Sequence, residues 1–133
     1  MMVLAVGFAG TAGLAETELT PASVQKMSIG GLKAQLVNPD FIIIDVRTGH
    51  DWESSKTKIK GAVREDVRFL DSAINKYPKE KTLVFYCKWH DEATSARAAL
   101  QFMAKGYKKT YALKGGWRAW ELAKYPVEPN GNK

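Results

Sequence analysis

The sequence predicts an α/β domain with a mainly parallel central sheet, because apolar strands alternate with helical patterns along the chain. FIII at residues 41–44 and TLVFYC at residues 82–87 are apolar runs rich in β-branched and aromatic residues. Such runs are typical of strands that are covered on both faces, as in a parallel sheet. The 133 residues are enough for one domain with its own hydrophobic core.

Cap and turn signals in the first half of the chain predict short helices. Thr20-Pro21 indicates a helix start, since threonine is a good N-cap and proline suits the first helical position. Ser28 is expected to cap a second short helix, which the turn Asn38-Pro39-Asp40 closes. The other segments predicted in this half are a helix near 22–26, a short helix over 50–55, a return to the sheet over 59–63 and a helix over 67–77.

The second half repeats the alternation of strand and helix. Residues 93–105 place alanine, leucine and methionine side chains on one helical face, and Gly106 is placed to end that helix. The last helix is expected to bury its tryptophans, Trp117 and Trp120. The segments predicted after Gly106 are a short strand over 109–113, the pair Gly115-Gly116 and a helix over 117–123.

Residues 1–15 differ from the rest of the chain because they carry no charge. The run MMVLAVGFAGTAGLA is similar to the apolar core and small-residue end of a secretory signal, although no basic residue precedes it. We therefore expect a signal-peptide remnant and an exported, periplasmic protein; a packed or disordered N-terminus in a cytoplasmic protein is the alternative. The run is too short to span a bilayer.

The other predicted regions are an N-terminal extension over 16–27, a domain over 28–128 and a flexible tail over 129–133.

The charge and the metal-ligating residues exclude several classes of function. A formal charge of +6 favours anionic partners. The lysines are scattered rather than gathered with interleaved aromatic residues, so nucleic acid is not an expected partner. Cys87, His50 and His90 form no ligand cluster, so no metal is expected. Without a phosphate loop or dinucleotide fingerprint, no cofactor is expected.

The single cysteine, Cys87, ends a predicted strand, and the next helix begins near Ala93. In open α/β sheets, ligands bind beyond the carboxyl ends of the strands, where a loop enters the following helix. Backbone N–H groups of residues 88–92 and the positive end of the helix are therefore expected to face the sulfur and stabilise a nucleophilic thiolate. The alternative is a buried, inert cysteine, which the charged flanking residues disfavour.

Several segments have counterparts in one known family: FIIIDVR, KGAV, LVFYC followed by SARAAL, GYKKTYALKGGWRAW and YPV. They resemble the rhodanese domain family over roughly residues 24–128. The most specific parts are Asp45-Val46-Arg47, the cysteine after a strand, and Leu113-Lys114-Gly115-Gly116 with Trp120 in the final helix. The resemblance implies a three-layer domain with a parallel sheet of about five strands and helices on both faces. It also implies that Cys87 takes a sulfane sulfur from a donor such as thiosulfate, becomes a persulfide and passes the sulfur to a thiol.

The loop after the cysteine departs from that family. The common family loop resembles C-R-x-G-x-R-S, whose arginine helps to hold the anionic donor. This loop reads CKWHDEATSA, about two residues longer and without that glycine or arginine. Lys88 could replace part of the missing positive charge, and Arg97 in the second helical turn could supply more. The substrate-binding loop that we predict consists of Lys88, Trp89, His90, Asp91, Glu92, Ala93 and Thr94.

Most residues of this loop also have a structural interpretation. Asp91 is a natural helix N-cap and Glu92 suits the first turn, so capping is preferred over catalysis for both. His90 could titrate near neutral pH and assist, but a solvent-exposed histidine is preferred. Trp89 could wall the pocket or mark a partner surface, and the sequence does not choose between these.

Asp45 and Arg47 end the strand that precedes the cysteine strand in the sequence. Both are expected to support the site. Hydrogen bonds from these side chains to surrounding loops are preferred over direct contact with a substrate.

Three functions compete on this evidence. The first is a sulfurtransferase or persulfide carrier, whose partners are a small anionic sulfur donor and a thiol or protein acceptor. The second is a rhodanese-shaped binding or redox-sensing module with little catalysis. The third is an arsenate-reducing or phosphatase-like enzyme, which would need an arginine where Ala93 and Thr94 stand.

Overall fold

The chain folds around a central sheet of five parallel strands, which confirms the predicted fold class. The computed structural model describes residues 19–89 and 93–132. The strands are β1 Gln25–Met27, β2 Phe41–Asp45, β3 Thr57–Ile59, β4 Val63–Arg64, β5 Thr82–Tyr86, β6 Thr110–Leu113 and β7 Val127–Pro129. The α-helices are α1 Ile29–Lys33, α2 Gly49–Glu53, α3 Ala93–Met103 and α4 Gly116–Leu122, and the 3-10 helices are Pro21–Ser23 and Val67–Ser72. The strand order is β1-β6-β5-β2-β4.

The two apolar runs of the sequence are the paired strands β2 and β5. Their parallel register places Ile43 beside Val84, and both side chains are buried. The same register places Asp45 beside Tyr86 at the carboxyl edge of the sheet. Because parallel strands end at the same edge, the residues that follow β2 and β5 meet there.

Helices cover both faces of the sheet. Phe85 of β5 packs with Phe102 of α3 on one face, with the ring centroids 5.0 Å apart. Tyr86, the next residue, packs on the other face with Trp117 of α4, with the centroids 6.2 Å apart. Trp120 is also buried, so the core positions predicted for both tryptophans are confirmed. Alternation along a strand thus assigns successive residues to two separate cores.

Two segments predicted as helices fold differently. Thr20 caps only the 3-10 turn Pro21–Ser23, and the chain then becomes extended and pairs as β1 with β6. The segment predicted as a helix over 67–77 contains one 3-10 helix, with a non-helical Phe69. Asn75 has a positive φ of 81°, and its backbone N–H donates to Tyr107 Oη at 3.1 Å. Contacts with distant residues override the local helical pattern in both places.

The predicted return to the sheet, residues 59–63, splits between two sheets. β4 joins the central sheet beside β2, whereas β3 pairs in antiparallel fashion with β7. The tail after β7 also makes contacts that the sequence did not indicate. The side chains of Asn130 and Asn132 donate to the carbonyl oxygens of Trp52 and Ser55 beside α2. Residues 1–15, the predicted signal remnant, lie outside the described residues.

A buried ion pair ties together the carboxyl edge of the sheet. Asp45 and Arg47 are fully buried, and Arg47 Nη2 lies 2.7 Å from Asp45 Oδ2. Tyr86 Oη donates to the same carboxylate at 2.6 Å. Arg47 Nη2 also donates to the carbonyl of Thr57 at 3.0 Å, and the guanidinium carbon lies 4.6 Å from the ring centroid of Trp117. Burial, and then the charge of Asp45, raise the pKa of Tyr86 well above its ordinary value, so the phenol is neutral and donates.

None of the helices within residues 19–89 and 93–132 is both long and apolar enough to cross a membrane.

Replacing Asp45 by alanine should lower the free energy of unfolding by about 3–5 kcal/mol, because Arg47 would keep a buried charge without its partner. The double variant Asp45→Ala/Arg47→Met should lose less than the single variant. Denaturation by urea measures both. Glu128→Gln is the control, since it removes a partly exposed pair with Lys58 and should cost about 1 kcal/mol or less. A loss at Asp45 no larger than at Glu128 would contradict the central role of this pair.

Candidate active site

Cys87 follows β5 directly at the carboxyl edge of the sheet, as the sequence predicts. Its side chain points toward α3, where Sγ lies 3.7 Å from Ser95 Oγ. The carbonyl oxygen of Trp89 lies 3.9 Å from Sγ and is a second acceptor for a hydrogen bond from the thiol. The residue is only 6% exposed. The thiol is thus buried although its flanks are polar, because Lys88 and Trp89 lie at the surface while the thiol packs against α3. Whether this cysteine is reactive or inert stays a prediction.

The backbone of the loop is bound to the start of α4. Trp117 N–H donates to the carbonyl of Cys87 at 2.8 Å, and Arg118 N–H donates to the carbonyl of Lys88 at 3.0 Å. These bonds turn two loop carbonyls toward α4. The helix can approach so closely because residue 116 is glycine: a Cβ there would lie 2.7 Å from the carbonyl oxygens of Cys87 and Trp89. Gly116 also has a positive φ of 59°, which favours glycine.

The predicted cradle of backbone N–H groups over residues 88–92 stays a prediction, because residues 90–92 lie outside the described residues. Within residues 87–89, the described part of the loop, the Trp89 carbonyl lies beside the sulfur. A carbonyl accepts a hydrogen bond from a thiol but cannot stabilise a thiolate. The hydroxyl of Ser95, which is fully buried, can donate to the sulfur once its proton has left. Sequence reasoning missed Ser95, although SARAAL placed a serine in the first turn of the helix.

Lys88 and Trp89 lie at the surface beside this loop. Lys88 Nζ lies 3.6 Å from Asp51 Oδ1 and 5.0 Å from the centroid of the Trp89 ring. Part of the lysine charge is thus neutralised by α2 rather than being directed at the sulfur alone. Trp89 is 47% exposed, and the guanidinium of Arg118 lies 5.1 Å from its ring centroid.

Of the other predicted loop residues, the structure describes only the two in α3. His90, Asp91 and Glu92 lie outside the described residues, so their predicted roles stay predictions. Ala93 and Thr94 are half-buried in the first turn of α3.

A cavity of about 280 Å³ borders α3 beside this first turn. Its lining residues are Val67, Leu70, Thr94, Arg97, Ala98 and Gln101. Ala98 lies one turn after Ser95 on the same helix, so the cavity and the Cys87 contact involve neighbouring turns of α3. Arg97 is exposed and is the one cationic side chain in that lining. The structure therefore places Arg97 in the lining of a cavity on α3, the helix whose Ser95 contacts Cys87.

A second cavity, of about 160 Å³, lies on the opposite side of the loop, next to Lys88. The fully buried Arg47 lines it, as do Asp51 and Glu121. Arg47 Nη1 is the one buried side-chain nitrogen or oxygen that finds no hydrogen-bond partner in the described part of the chain. The side chains of Asp45 and Arg47 form hydrogen bonds with each other, with Tyr86 Oη and with the Thr57 carbonyl, and their predicted support of the cysteine loop stays a prediction.

The described residues contain no group of three or more histidine, cysteine, aspartate or glutamate side chains that could hold a metal ion.

Comparison with known proteins gives a consistent relationship. The family profile described as "Rhodanese-like domain" matches residues 28–123. The thiosulfate sulfurtransferase GlpE of Coxiella burnetii (strain RSA 331 / Henzerling II) is 28% identical over 93 residues, which cover 70% of this chain and 83% of that protein. GlpE of Glaesserella parasuis serovar 5 (strain SH0165) is 21% identical over 112 residues, covering 84% of this chain and 93% of its own length.

Solved structures share the fold. A protein of unknown function from Rhodopseudomonas palustris CGA009, described as a possible tyrosine phosphatase, has a TM-score of 0.69 and 26% identity, covering 89% of this chain and 92% of that one. The rhodanese-like domain of an Anabaena protein has a TM-score of 0.66 and 24% identity, covering 83% of this chain and 80% of that one.

Gly116→Ala should displace the Cys87 loop, because the added Cβ meets two loop carbonyls. Gly61→Ala is a matched control, since Gly61 also has a positive φ but no atom within 4 Å of the added Cβ. Both variants should lose about 1–2 kcal/mol of stability to backbone strain, and Gly116→Ala should lose about 1–3 kcal/mol more to the contact. Gly116→Ala alone should also change the rate at which iodoacetamide alkylates Cys87. Equal stability losses and equal alkylation rates would refute the contact.

Proposed function

This chain belongs to the rhodanese-like domain family, and on that premise we propose that it is a sulfurtransferase that carries sulfane sulfur as a persulfide on Cys87. The single observation that supports this most directly is the placement of Cys87 at the carboxyl edge of the parallel sheet, with Ser95 Oγ 3.7 Å from its sulfur. The GlpE relatives are named as thiosulfate sulfurtransferases, which agrees with the proposal.

The proposed reaction has two displacement steps. In the first, the Cys87 thiolate attacks the outer sulfur of thiosulfate or of a persulfide, and the sulfur–sulfur bond of the donor breaks. Sulfite or a thiolate leaves with the electron pair, and Cys87 holds the transferred sulfur. In the second, an acceptor thiolate attacks that outer sulfur and restores the Cys87 thiolate. A thiolate is the attacking group in such exchange, so a hydroxyl that donates to it contributes to the reaction.

We place the donor in the cavity beside α3. Its apolar residues, Val67, Leu70 and Ala98, offer no charge, so Arg97 is the group that would meet a negative donor. The loop lacks the arginine of the common family pattern. Arg97 is exposed, and its attraction for an anion is weakened by solvent. We therefore expect thiosulfate to be used poorly compared with a less charged persulfide donor.

One observation favours a second function, the binding or redox-sensing module. Cys87 is almost fully buried, and the described part of its loop offers the sulfur a carbonyl rather than a backbone N–H. A phosphatase-like function is less well supported, although one structural neighbour is described as a possible tyrosine phosphatase. A bound oxyanion needs donors around the cysteine, and the Trp89 carbonyl would repel it.

We also propose that residues 1–15 direct export. The mature chain should then begin near Glu16 when the full native gene is expressed. N-terminal sequencing decides this, and retention of the segment would contradict it.

Incubating the protein with thiosulfate or a polysulfide should add one sulfur atom to Cys87, which intact-mass measurement detects. A thiol acceptor should then remove that sulfur. Cys87→Ser should abolish the addition, because a serine hydroxyl cannot form a persulfide. Ser95→Ala should slow the addition without preventing it. Absence of sulfur transfer from every donor would leave the binding module as the better assignment.

Arg97→Ala should lower kcat/KM for thiosulfate about five- to tenfold, which corresponds to about 1–1.4 kcal/mol of lost attraction. The same variant should change the rate with an uncharged alkyl persulfide less than twofold. Lys105 is an exposed cation just beyond α3. Lys105→Ala is therefore the control and should leave the rate with either donor unchanged. Equal losses with both donors would show that Arg97 does not select the donor by charge.

A further inference from the structure

An apolar notch opens on the surface next to the cysteine loop. It has a volume of about 250 Å³ and is lined by Trp89, Gly115, Arg118, Ala119 and Leu122, which we call the Trp89 notch. Two of its large apolar side chains, Trp89 and Leu122, are exposed, at 47% and 72%. Exposed apolar surface of this kind costs solubility unless a partner covers it. The notch has room for one large apolar side chain.

The notch is coupled to the nucleophile through the backbone. Trp89 supplies one wall of the notch with its ring, while its carbonyl oxygen lies 3.9 Å from Cys87 Sγ. Gly115, another lining residue, immediately precedes Gly116, which the carbonyl oxygens of the loop approach closely. A molecule that fills the notch therefore sits on the segment that holds the sulfur.

The two charged side chains that the described residues place over the Trp89 ring are both cationic. Arg118 and Lys88 lie 5.1 and 5.0 Å from the Trp89 ring. Lys88 shares its charge with Asp51, whereas Arg118 forms no ion pair within the described part of the chain. Glu121 of the same helix lines the cavity beside Lys88 on the other side, not the notch.

These features select the chemistry of a partner. The cations already occupy positions over the Trp89 ring, so a basic partner would be repelled there. A polypeptide with carboxylates beside an apolar side chain would fill the notch and pair with Arg118. Tryptophan and arginine are the residues that most often carry the binding energy of protein interfaces. Asp91 and Glu92 lie outside the described residues. Reversing the charge of Arg118 therefore tests its contribution directly.

We propose that the Trp89 notch docks an acidic polypeptide, whose apolar side chain enters the notch and whose carboxylates meet Arg118 and Lys88, and that this polypeptide exchanges sulfur with Cys87. The exchange rests on the proposed sulfurtransferase function, whereas the docking does not. The exchange itself is the second displacement described above: the cysteine thiolate of the polypeptide attacks the outer sulfur, and Cys87 leaves as the thiolate.

Two short cysteine peptides test the proposal. Both carry a leucine beside the cysteine, and they differ only in having glutamate or lysine at the flanking positions. The glutamate peptide should remove sulfur from persulfidated protein at least five times faster than the lysine peptide. Arg118→Glu should cancel or invert this preference, and Trp89→Ala should slow the glutamate peptide. Lys108→Glu makes the same charge change at the opposite, amino edge of the sheet and should preserve the preference.

A binding measurement separates docking from transfer. Fluorescence anisotropy of a labelled glutamate peptide with serine in place of cysteine should show binding that Arg118→Glu and Trp89→Ala weaken. This result stands even if no persulfide forms, in which case the proposed function alone fails. Equal rates and affinities for the two peptides would overturn the docking proposal. Equal effects of Arg118→Glu and Lys108→Glu would also overturn it, as would preferential binding of a single-stranded oligonucleotide over the acidic peptide.

Discussion

The buried pair of Asp45 and Arg47 is the interaction on which the rest of the site depends. It joins the end of β2 to β5 through Tyr86, to β3 through the Thr57 carbonyl and to α4 through the Trp117 ring. A buried charge pair needs hydrogen bonds around it, and here several groups bind both side chains, while Arg47 Nη1 alone has no partner among the described residues. Because those groups belong to separate elements, the pair fixes the positions of β3 and α4 relative to the sheet. The cysteine loop in turn forms hydrogen bonds with α4, one of the elements that the ion pair fixes.

The second constraint is the close contact between the loop and α4. Gly116 lets two helix N–H groups reach the carbonyls of Cys87 and Lys88, so the first three residues of the loop have a defined course. That course satisfies the backbone but places the Trp89 carbonyl beside the sulfur. Among the described side chains, the hydroxyl of Ser95 lies 3.7 Å from the sulfur and is able to donate to a thiolate. The same contact presents the Trp89 ring at the surface.

The site therefore has two sides with different chemistry. On the α3 side, an apolar cavity with Arg97 at its rim adjoins the turn that carries Ser95. On the α4 side, an exposed tryptophan with two cations over its ring borders an apolar notch. Cys87 lies between them, at the end of β5. This division suits a transfer reaction in which a small donor and a larger acceptor approach the same sulfur from different directions, and it follows from the opposite positions of α3 and α4 on the sheet.

Local patterns in the sequence determined the strands β2 and β5, the helix α3 and the position of Cys87 at a strand end. Burial on both faces requires a continuous apolar run, and a run of that kind is visible without any partner. The tertiary structure decided the features that depend on distant residues. Residues 25–27 form a strand because β6 lies beside them. The helix predicted after Phe69 does not form where Asn75 donates to Tyr107. The burial of Cys87, the pairing of Lys88 with Asp51 and the role of Gly116 depend on how α2, α3 and α4 pack around the loop, which no local pattern encodes.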